Sequence, residues 1–573
     1  MEAKKWAFAV SSIVITAVLS LLLLRILEAP GGQHAVFGDL NIIPAILQGS
    51  WSPGKTIGKD SVIAPNLTTC HESSELDIHV YCCPPKNGSD LTVFDFRFPD
   101  PSNPLRVRRP THLLDDNYIA KYNEALTIMK SLPYSDPRSF SRQADLHCLY
   151  CTGAYYQQNS RTPLNIHRSW LFFPWHRMML HFHERILGSL IGDDTFALPF
   201  WPWDIPEGML MPEMYLNSSF FDKERDISHF PPTVVDLDYR CSFSESTCPE
   251  RGLTPDEQVN ANLAFMYNQM VSGAKKTELF MGCHYKAGEE GLCDGPGTIE
   301  TAPHNTLHRW VGSSLNSPAR EDMGVFYSAA RDPIFYPHHA NIDRLWEVWR
   351  GFHMDNDITD PDWLDSFFYF YDEKSQFTRV KIRDVLDITK LRYSFEKVDV
   401  PWLNARPKPS VQPEAARQIL KTREIERTSQ FPSHSIISSD FRSNRQTLDA
   451  SVTVKVIRPK VRKTKGDREE EEEVLVVHGI DVKEEAYVKF DVYVNVVNET
   501  IINPGFREFA GTFVHIPSGV KLARRKTSLK LGISELLQDL EAEEDESIWV
   551  TLLPRNEGCI NTSVDGIRIE YLR

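Results

Sequence analysis

Apolar residues recur at helical spacing through the middle of the chain. Over 115–132 they lie three or four positions apart, and Pro133 follows as a stop signal. The stretch 170–190 repeats this spacing, and two shorter helical runs begin at Pro303 and Ala340. The pattern predicts a mainly helical region.

The pattern changes after Thr447, where apolar and polar residues alternate with a period of two. Such alternation is typical of strands that bury one face. The alternating segments are 451–456, 474–477, 487–497, 548–553 and 567–571. Five or more strands of this kind predict a C-terminal β-sandwich domain.

Length and composition divide the chain further. A chain of 573 residues is too long for one core, so two to four units are expected. Residues 31–69 are rich in Gly, Pro and Ser and predict an extended spacer. Prolines separated by basic residues predict a linker over 401–446. The main helical domain is then expected over 70–400 and the β-rich domain over 447–573.

The first 30 residues have the pattern of a membrane-directed segment. Lys4 and Lys5 precede an uncharged run over 6–24, which ends at Arg25. This order is typical of a secretory signal peptide, and the run is nearly long enough to span a bilayer. A cleaved signal peptide and a retained anchor both stay open. In either case residues 1–30 are expected to engage the membrane or the secretion machinery.

Cysteines and glycosylation sequences favour the same route. The chain has ten cysteines, many of them crowded toward one end, which suits an oxidising compartment. Cys241 with Cys248, and Cys283 with Cys293, could each close a small loop, and both pairings stay open. Several asparagines begin an Asn-x-Ser/Thr sequence: Asn66, Asn87, Asn217, Asn498 and Asn561. We therefore expect the secretory pathway, with a vacuole lumen or a membrane-anchored form as the destination.

The net charge excludes one class of partner. The chain carries 63 Lys and Arg against 78 Asp and Glu, a formal charge of -15. Nucleic-acid phosphates need a basic face, and no Lys/Arg-rich patch interleaved with aromatic residues occurs. No nucleic-acid partner is expected, and the acidity favours solubility.

The first candidate chemistry is a pair of histidines in the run that begins at Pro303. His304 and His308 stand four apart, so both imidazoles leave the same helix face as a pair of metal ligands does. A zinc protease would need Glu directly after the first His, and Asn305 stands there instead. A third ligand is expected from His338 or His339.

A second set of three histidines lies upstream: His147, His167 and His176. Three imidazoles without carboxylate or thiolate suit copper or zinc and leave coordination positions open. Two such sets that face one another would make a two-metal centre.

These histidine segments resemble those of the plant polyphenol oxidases, the catechol oxidases and tyrosinases with a dinuclear copper site. The matching segments are His147-Cys-Leu-Tyr-Cys151, His167-Arg-Ser-Trp-Leu-Phe-Phe-Pro-Trp-His176-Arg177, His304-Asn-Thr-Leu-His308 and Asp332-Pro-Ile-Phe-Tyr-Pro-His338-His339-Ala-Asn-Ile-Asp343-Arg344. Asp362-Trp-Leu and Lys489-Phe-Asp-Val also match. The resemblance covers nearly everything from Cys70 to the C-terminus.

The resemblance implies a mainly α catalytic domain in which a four-helix bundle holds two copper ions, copper A and copper B, about 3.5 to 4 Å apart. The implied ligands of copper A are His147, His167 and His176. Those of copper B are His304, His308 and one of the adjacent pair. We choose His339, because on a helix it shares a face with Asp343, whose carboxylate can orient a neighbouring imidazole. His338 points about 100° away and is expected behind the ligands, as is Asp343.

Several cysteines match covalent features of the family. Cys151 matches the residue that forms a thioether to the copper A ligand at His167. Cys70 with Cys83, and Cys82 with Cys148, match the two disulfides of the family. Cys559 is then expected to be a buried thiol.

The family uses dioxygen to oxidise an o-diphenol to the o-quinone, and some members first hydroxylate a monophenol. Glu300 and Asn305 match the acid and the amide that hold a water near the phenol oxygen; for Glu300 a carboxylate at a helix N-terminus is the alternative. Phe326 matches the bulky residue over copper A that limits entry. Arg309 lies where the family varies and faces either substrate or solvent. His183 is expected to serve packing.

The C-terminal strands resemble the domain that shields the copper site in a latent precursor, and a separate binding module is the alternative. Family members usually carry a Ser-rich transit leader, and no such segment precedes Lys4. The chloroplast thylakoid lumen is therefore kept as the alternative location. Two other functions stay open: a reversible oxygen carrier with the same six histidines, and an oxidase or hydroxylase of one specialised phenolic of the aurone or lignan type. Glu300 and Asn305 favour an enzyme.

Overall fold

A computed structural model gives the fold of the chain. The structure describes residues 62–75, 78–84, 91–239, 253–289, 295–313, 320–353, 358–430, 445–459, 471–498, 503–517 and 524–573. The predicted signal peptide or anchor over 1–30 lies outside these residues, as do Asn87, Cys241, Cys248 and Cys293. Among the helices of the described segments, none combines the length and the apolar character that crossing a bilayer requires.

The first described residues already belong to the core. Ile63 and Ala64 are buried, and a compact unit extends from Asp60 to Arg573. The packed region therefore begins before Cys70, where the sequence prediction put its start. Two disulfides tie this arm down, Cys70–Cys83 and Cys82–Cys148, and both predicted pairings are confirmed.

Helices make up most of the first part of the unit. They are α1 (Asp116–Ser131), α2 (Phe140–Cys151), α3 (Phe172–Leu190), α4 (Pro255–Tyr267), α5 (Thr277–Met281), α6 (Asn305–Val311), α7 (Phe335–Phe352), α8 (Pro361–Asp365) and α9 (Pro413–Gln430). A π-helical turn, Glu300–His304, leads directly into α6. The helices predicted over 115–132 and 170–190 are confirmed, with ends within two residues.

Local sequence explains where α1 begins and which face it buries. The Asp115 carboxylate accepts a hydrogen bond from the backbone N–H of Tyr118, so it caps the helix. Tyr122, Ala125 and Met129 then form the buried stripe. In α3 nearly all side chains are buried, because this helix crosses the centre of the domain.

Short strands border the helical part. They are β1 (Ser73–Glu75), β2 (Ile78–Val80), β3 (Val93–Asp95), β4 (Arg106–Arg108), β5 (Phe367–Tyr371), β6 (Phe377–Lys381) and β7 (Tyr393–Phe395). β1 pairs with β2, β4 pairs with β7 in parallel, and β6 lies between β3 and β5.

Two sheets make up the C-terminal part. Their strands are β8 (Gln446–Thr447), β9 (Val452–Ile457), β10 (Glu472–Lys483), β11 (Val488–Val494), β12 (Phe509–His515), β13 (Arg524–Gly532), β14 (Ser547–Pro554), β15 (Ser563–Val564) and β16 (Gly566–Leu572). One sheet has the order β13-β10-β15-β8 with β16 also on β10, and the other β12-β11-β14-β9. Both contribute to one apolar cluster. A helix, α10 (Ser534–Asp539), follows β13.

The predicted linker is partly folded into the protein. Trp402, in the 3-10 turn Pro401–Asn404, is fully buried, and its indole N–H donates to Asp204 at 2.9 Å. The helix α9 occupies 413–430. The prediction of a linker from 401 was therefore wrong at its start, because proline was read as extended chain although it also begins helices.

The C-terminal part packs directly on the helical part. β12 packs against the turn Glu300–His304 and against α6. Tyr493, Phe509 and Val514 belong to the main apolar cluster of the helical part rather than to the cluster between the sheets. A fully buried ion pair joins Lys489 of β11 to Asp238 of the helical part, with 3.1 Å between Nζ and Oδ1.

Candidate metal centre

Seven buried histidines form two clusters in the helical part. His147, His167 and His176 make one cluster, and His304, His308, His338 and His339 make the other. Within each cluster one ring nitrogen per residue lies within 4.8 Å of those of the others. α2, α3, α6 and α7 supply His147, His176, His308 and the adjacent pair, whereas His167 precedes α3 and His304 ends the π-helical turn. The structure thus brings together all six predicted ligands.

Burial keeps these imidazoles neutral. It lowers the pKa of His147 to about 3 and the pKa of His308 to about 4, and it lowers the pKa of the other five as well. A neutral imidazole has a lone pair to give to a metal, so the clusters have the protonation state that ligands require.

Backbone carbonyls orient three of the rings. Nδ1 of His147 lies 2.8 Å from the carbonyl oxygen of Phe326, Nδ1 of His176 lies 2.8 Å from that of Phe172, and Nδ1 of His308 lies 2.8 Å from that of Met323. A carbonyl only accepts, so each Nδ1 carries the proton and each Nε2 keeps its lone pair.

Among the six predicted ligands, four have an Nε2 atom without a hydrogen-bond partner in the described part of the chain. They are buried and unpaired in His147, His167, His176 and His304. Unpaired buried polar atoms are costly, and a metal ion is one of the groups that can satisfy them. The donor set, imidazole nitrogen alone, fits copper or zinc.

The two clusters face each other. The rings of His176 and His339 stack with centroids 4.1 Å apart, and those of His167 and His304 stack at 5.7 Å. Rings of opposite clusters are therefore in contact, which is the arrangement that a two-metal centre needs.

His338 and His339 differ in their surroundings. Nε2 of His339 lies 3.3 Å from Nε2 of His308, so the two aim at a common point. His338 lies beside Trp203, with centroids 5.9 Å apart, and neither of its nitrogens has a hydrogen-bond partner. This geometry favours His339 as the third member of the second set, although His338 belongs to the same cluster.

Asp343 does not contact an imidazole, so the predicted contact was wrong. Its Oδ1 accepts from Arg177 at 2.6 Å, and its Oδ2 accepts from Arg108 at 2.9 Å and from the Tyr393 hydroxyl at 2.6 Å. The carboxylate lies on the expected helix face, but buried arginines occupy both oxygens. It joins α7 to α3 and β4 instead.

Glu300 lies between the clusters. Its Oε1 lies 3.1 Å from Nδ1 of His167 and accepts from the backbone N–H of Arg168 at 2.6 Å, while Oε2 has no hydrogen-bond partner. Burial raises the pKa of Glu300 to about 8. Glu300 lies in the first turn of its helical segment, as the alternative expected, but its carboxylate bonds to the His167 ring and the Arg168 N–H rather than to its own helix.

The other predicted residues also lie at the clusters. The amide oxygen of Asn305 lies 3.0 Å from Nδ1 of His304. The Phe326 ring contacts the His167 ring, with centroids 4.6 Å apart. The guanidinium of Arg309 lies 4.6 Å from the Tyr487 ring, so it faces the C-terminal sheets rather than solvent.

The remaining predictions concern packing and sulfur. His183 is fully buried and stacks on Tyr336, as a packing residue would. Cys559 is a buried thiol, as expected. Cys151 is buried at the end of α2, and its thioether to His167 stays a prediction.

Sequence reasoning missed some contributors. The carbonyl oxygens of Phe326 and Met323 orient ligands, but a carbonyl has no signature in a sequence. Arg108 and Arg177 hold α7, and Arg177 could have been noticed because it follows His176 directly. The contact between Arg168 and the C-terminal sheets depends on tertiary structure alone.

Comparison with known proteins agrees with this architecture. Residues 137–351 match the model for the common central domain of tyrosinase, 357–408 match the polyphenol oxidase middle domain, and 445–571 match the chloroplastic polyphenol oxidase C-terminal domain. A chloroplastic polyphenol oxidase from Vitis vinifera is 44% identical over 561 residues, which cover 96% of this chain and 87% of the relative. The chain belongs to the plant polyphenol oxidases.

Other members of this family are similar over comparable lengths. A protein named aureusidin synthase from Antirrhinum majus is 45% identical, covering 89% of this chain and 88% of the relative. The structure of latent apple tyrosinase matches with a TM-score of 0.74 at 42% identity, covering 84% of this chain and 100% of that one. Latent aurone synthase matches with a TM-score of 0.77 at 35% identity, covering 89% and 99%. The tyrosinase domain binds two copper ions, and the two neutral histidine clusters of this polyphenol oxidase fit them.

Proposed function

We propose that this chain oxidises o-diphenols to o-quinones with dioxygen at two copper ions. Copper A is held by His147, His167 and His176, and copper B by His304, His308 and His339. The observation that carries the proposal is the pair of neutral, buried imidazole clusters in contact, with unpaired Nε2 atoms in both. We interpret α2, α3, α6 and α7 as the four-helix bundle that presents them.

Bound copper would supply the redox chemistry, the transfer of two electrons from a diphenol toward dioxygen. The protein then has to orient the phenol and handle its proton. Oε2 of Glu300 is buried and unpaired, so in its ionised form the carboxylate can accept the phenol proton, and in either form it can hold a water beside the phenol oxygen. Asn305 fixes the ring of His304, and Phe326 limits the space over the first cluster.

We further propose a latent precursor in which the C-terminal sheets shield this centre. Support comes from β12, which packs on the turn that carries Glu300, and from structural neighbours whose names include the word latent. The thioether between Cys151 and His167 belongs to the same proposal.

A more specialised substrate is the second candidate. Relatives named aureusidin synthase and (+)-larreatricin hydroxylase are 45% and 42% identical to this chain, so an oxidase or hydroxylase of one aurone- or lignan-type phenolic has support of its own. Hydroxylation of monophenols belongs to this candidate. A dioxygen carrier without turnover is disfavoured by Glu300, which such a protein does not need.

The location of the protein stays a proposal. Relatives from Vitis vinifera and Malus domestica carry the word chloroplastic in their names, which favours the chloroplast over the predicted vacuole. The signal peptide or anchor, its engagement of the membrane, and glycosylation are untested. A reporter fused after Gly54 distinguishes the routes by whether it reaches plastids or the secretory pathway.

One experiment tests the proposed reaction. The full-length chain is loaded with copper, cut in the segment 431–444 and treated with a mild detergent so that the sheets dissociate. Copper content is then measured beside oxygen uptake with catechol, tyramine and a flavonoid. We expect two coppers per chain and oxygen uptake with catechol. Oxygen binding without uptake would indicate the carrier, and uptake restricted to the flavonoid would indicate the specialised enzyme.

A further inference from the structure

Arg168 is a cation beside the metal centre that the proposed reaction does not use. It follows His167 directly, and its φ of 64° lies in the left-handed region that few residues other than glycine adopt. In this conformation its backbone N–H donates to Glu300, while its side chain extends away to the C-terminal sheets. There its Nη2 lies 2.8 Å from Nδ1 of His515.

The C-terminal sheets provide the cover over this guanidinium. His515 ends β12, and the charges that act on Arg168 from the same side are Glu484 and Arg525, which pair with each other at 2.5 Å. On the other side lies the carboxylate of Glu300. Removal of the sheets would thus uncover a cation one residue from a copper A ligand.

In the covered state the guanidinium meets an imidazole, His515, and a like charge, Arg525, while Glu484 and Glu300 attract it from opposite sides. A neutral side chain of similar length would fill the same space without the cost of removing a charge from water. The charge is better explained by the state in which the sheets have moved away.

We propose that Arg168 determines specificity by binding the carboxylate of phenolic acids once the C-terminal sheets have left. The inference rests on the proposed function and names its substrate class, o-diphenols that carry a carboxylate on a short side chain. A guanidinium donates two parallel hydrogen bonds to a carboxylate and stays charged at any physiological pH. Its long side chain starts beside Glu300, so it can meet the acid group while the diphenol ring lies at the coppers.

The test compares two substrates that share the diphenol ring and the side chain but differ in charge, 3-(3,4-dihydroxyphenyl)propionate and its methyl ester. The full-length chain is folded, loaded with copper, cut within 431–444 and then separated from its C-terminal sheets with a mild detergent. We expect Arg168→Gln to lower the ratio of kcat/KM for acid over ester about tenfold, mainly through the KM of the acid. Arg168→Lys should retain part of the preference, because it keeps the charge but loses the bidentate geometry.

A matched control and a binding measurement separate specificity from structure. Arg161 is exposed and lies outside the centre, so Arg161→Gln should leave the ratio unchanged. Calorimetry with benzoate, which has the carboxylate but no phenol, should give a weaker Kd for Arg168→Gln than for the unsubstituted cut chain. In the uncut chain, benzoate should bind weakly to both, since His515 covers the guanidinium.

Two results would overturn the inference in distinguishable ways. If the unsubstituted enzyme oxidises both compounds and Arg168→Gln leaves their ratio and the benzoate affinity unchanged, Arg168 only tethers the two parts and the inference fails alone. If neither compound is oxidised, the proposed function fails and the inference fails with it.

Discussion

Glu300 contacts both histidine clusters, His167 through its carboxylate and His304 through its backbone carbonyl oxygen, which lies 3.2 Å from Nδ1. One oxygen is engaged by His167 and by the backbone of Arg168, and the other is buried without a partner. One oxygen of the carboxyl group thus orients the His167 ring, and the other stays available for the substrate proton.

Replacement of this carboxyl group should separate proton handling from metal binding. We expect Glu300→Gln to bind two coppers but to oxidise catechol about 100-fold more slowly, because an amide cannot accept the proton. Copper analysis and steady-state oxygen uptake measure the two effects. Glu124→Gln, an exposed change on α1, is the control. An unchanged rate in Glu300→Gln would remove this residue from the chemistry.

The adjacent histidines of α7 should differ in their effect on copper. We expect His339→Ala to lower the copper content from two toward one per chain, since its Nε2 converges with that of His308. His338→Ala should keep two coppers, because its ring lies toward Trp203. Metal analysis of both purified variants decides the assignment, and loss of copper from His338→Ala alone would reverse it.

The sequence allowed prediction of the metal ligands better than prediction of the groups that orient them. Spacing on a helix brought His304 and His308 together, the upstream histidines were recognised as a second set of three, and the family resemblance assigned that set to copper A. The sequence could not show that the carbonyl of Met323 orients a ligand or that Arg168 adopts a left-handed turn, since both depend on the path of distant backbone. Asp343 illustrates the limit, because its helix face was predicted correctly and its partners were not.

Among the elements, α3 and α7 are joined by a buried network of charges. Asp343 of α7 accepts from Arg177 of α3 and from Arg108 of β4. Glu184 of α3 accepts from Arg106 and Arg108 at 2.7 Å each. The network fixes the two helices that carry His176 and His339 relative to each other.

Neutralising one member of this network should destabilise the fold. We expect Asp343→Asn to cost about 3 kcal/mol of unfolding free energy or more, because it leaves two buried guanidinium groups short of a counter-charge. Urea denaturation measures the loss. The same change at the exposed Asp194 is the comparison and should cost under about 0.5 kcal/mol. Equal midpoints for the two variants would contradict the role of the network.

Element prediction succeeded where the sequence alternates and failed where it does not. Period-two alternation located β9, β11, β14, β16 and part of β10. β11 and β12 each have all seven residues buried, but only the sequence of β11 alternates, so β12 was missed. β13 was missed because its sequence is mostly polar. The missed β12 contacts the turn and the helix that carry His304 and His308.

At the scale of the whole molecule, a buried ion pair ties the two parts together. Lys489 of β11 bonds Asp491 at 2.8 Å within its own sheet and Asp238 of the helical part at 3.1 Å. All three side chains are buried. Removal of the cation leaves the Asp238 carboxylate without this ion-pair partner, whereas Asp491 keeps Arg555 at 2.6 Å.

Loss of this cation should loosen the shield without any cut. We expect full-length Lys489→Met to oxidise catechol several-fold faster than the unsubstituted full-length chain, as measured by oxygen uptake. Lys526→Met changes an exposed lysine of β13 and should leave the rate as it is. Circular dichroism checks that the sheets remain folded, and a folded Lys489→Met with no gain in rate would count against this attachment.

The apolar cluster shared by the two parts has a consequence for maturation. Tyr493, Phe509 and Val514 are embedded among side chains of the helical part. Breaking a peptide bond near 431–444 therefore leaves the apolar contact between the two parts intact. Cleavage of the chain and dissociation of the C-terminal sheets are then separate events. Dissociation depends on a solvent or a ligand that competes for the apolar contact. A cleaved molecule would stay inactive until dilution or an amphiphile releases the sheets, so quinone formation would begin a measurable time after proteolysis.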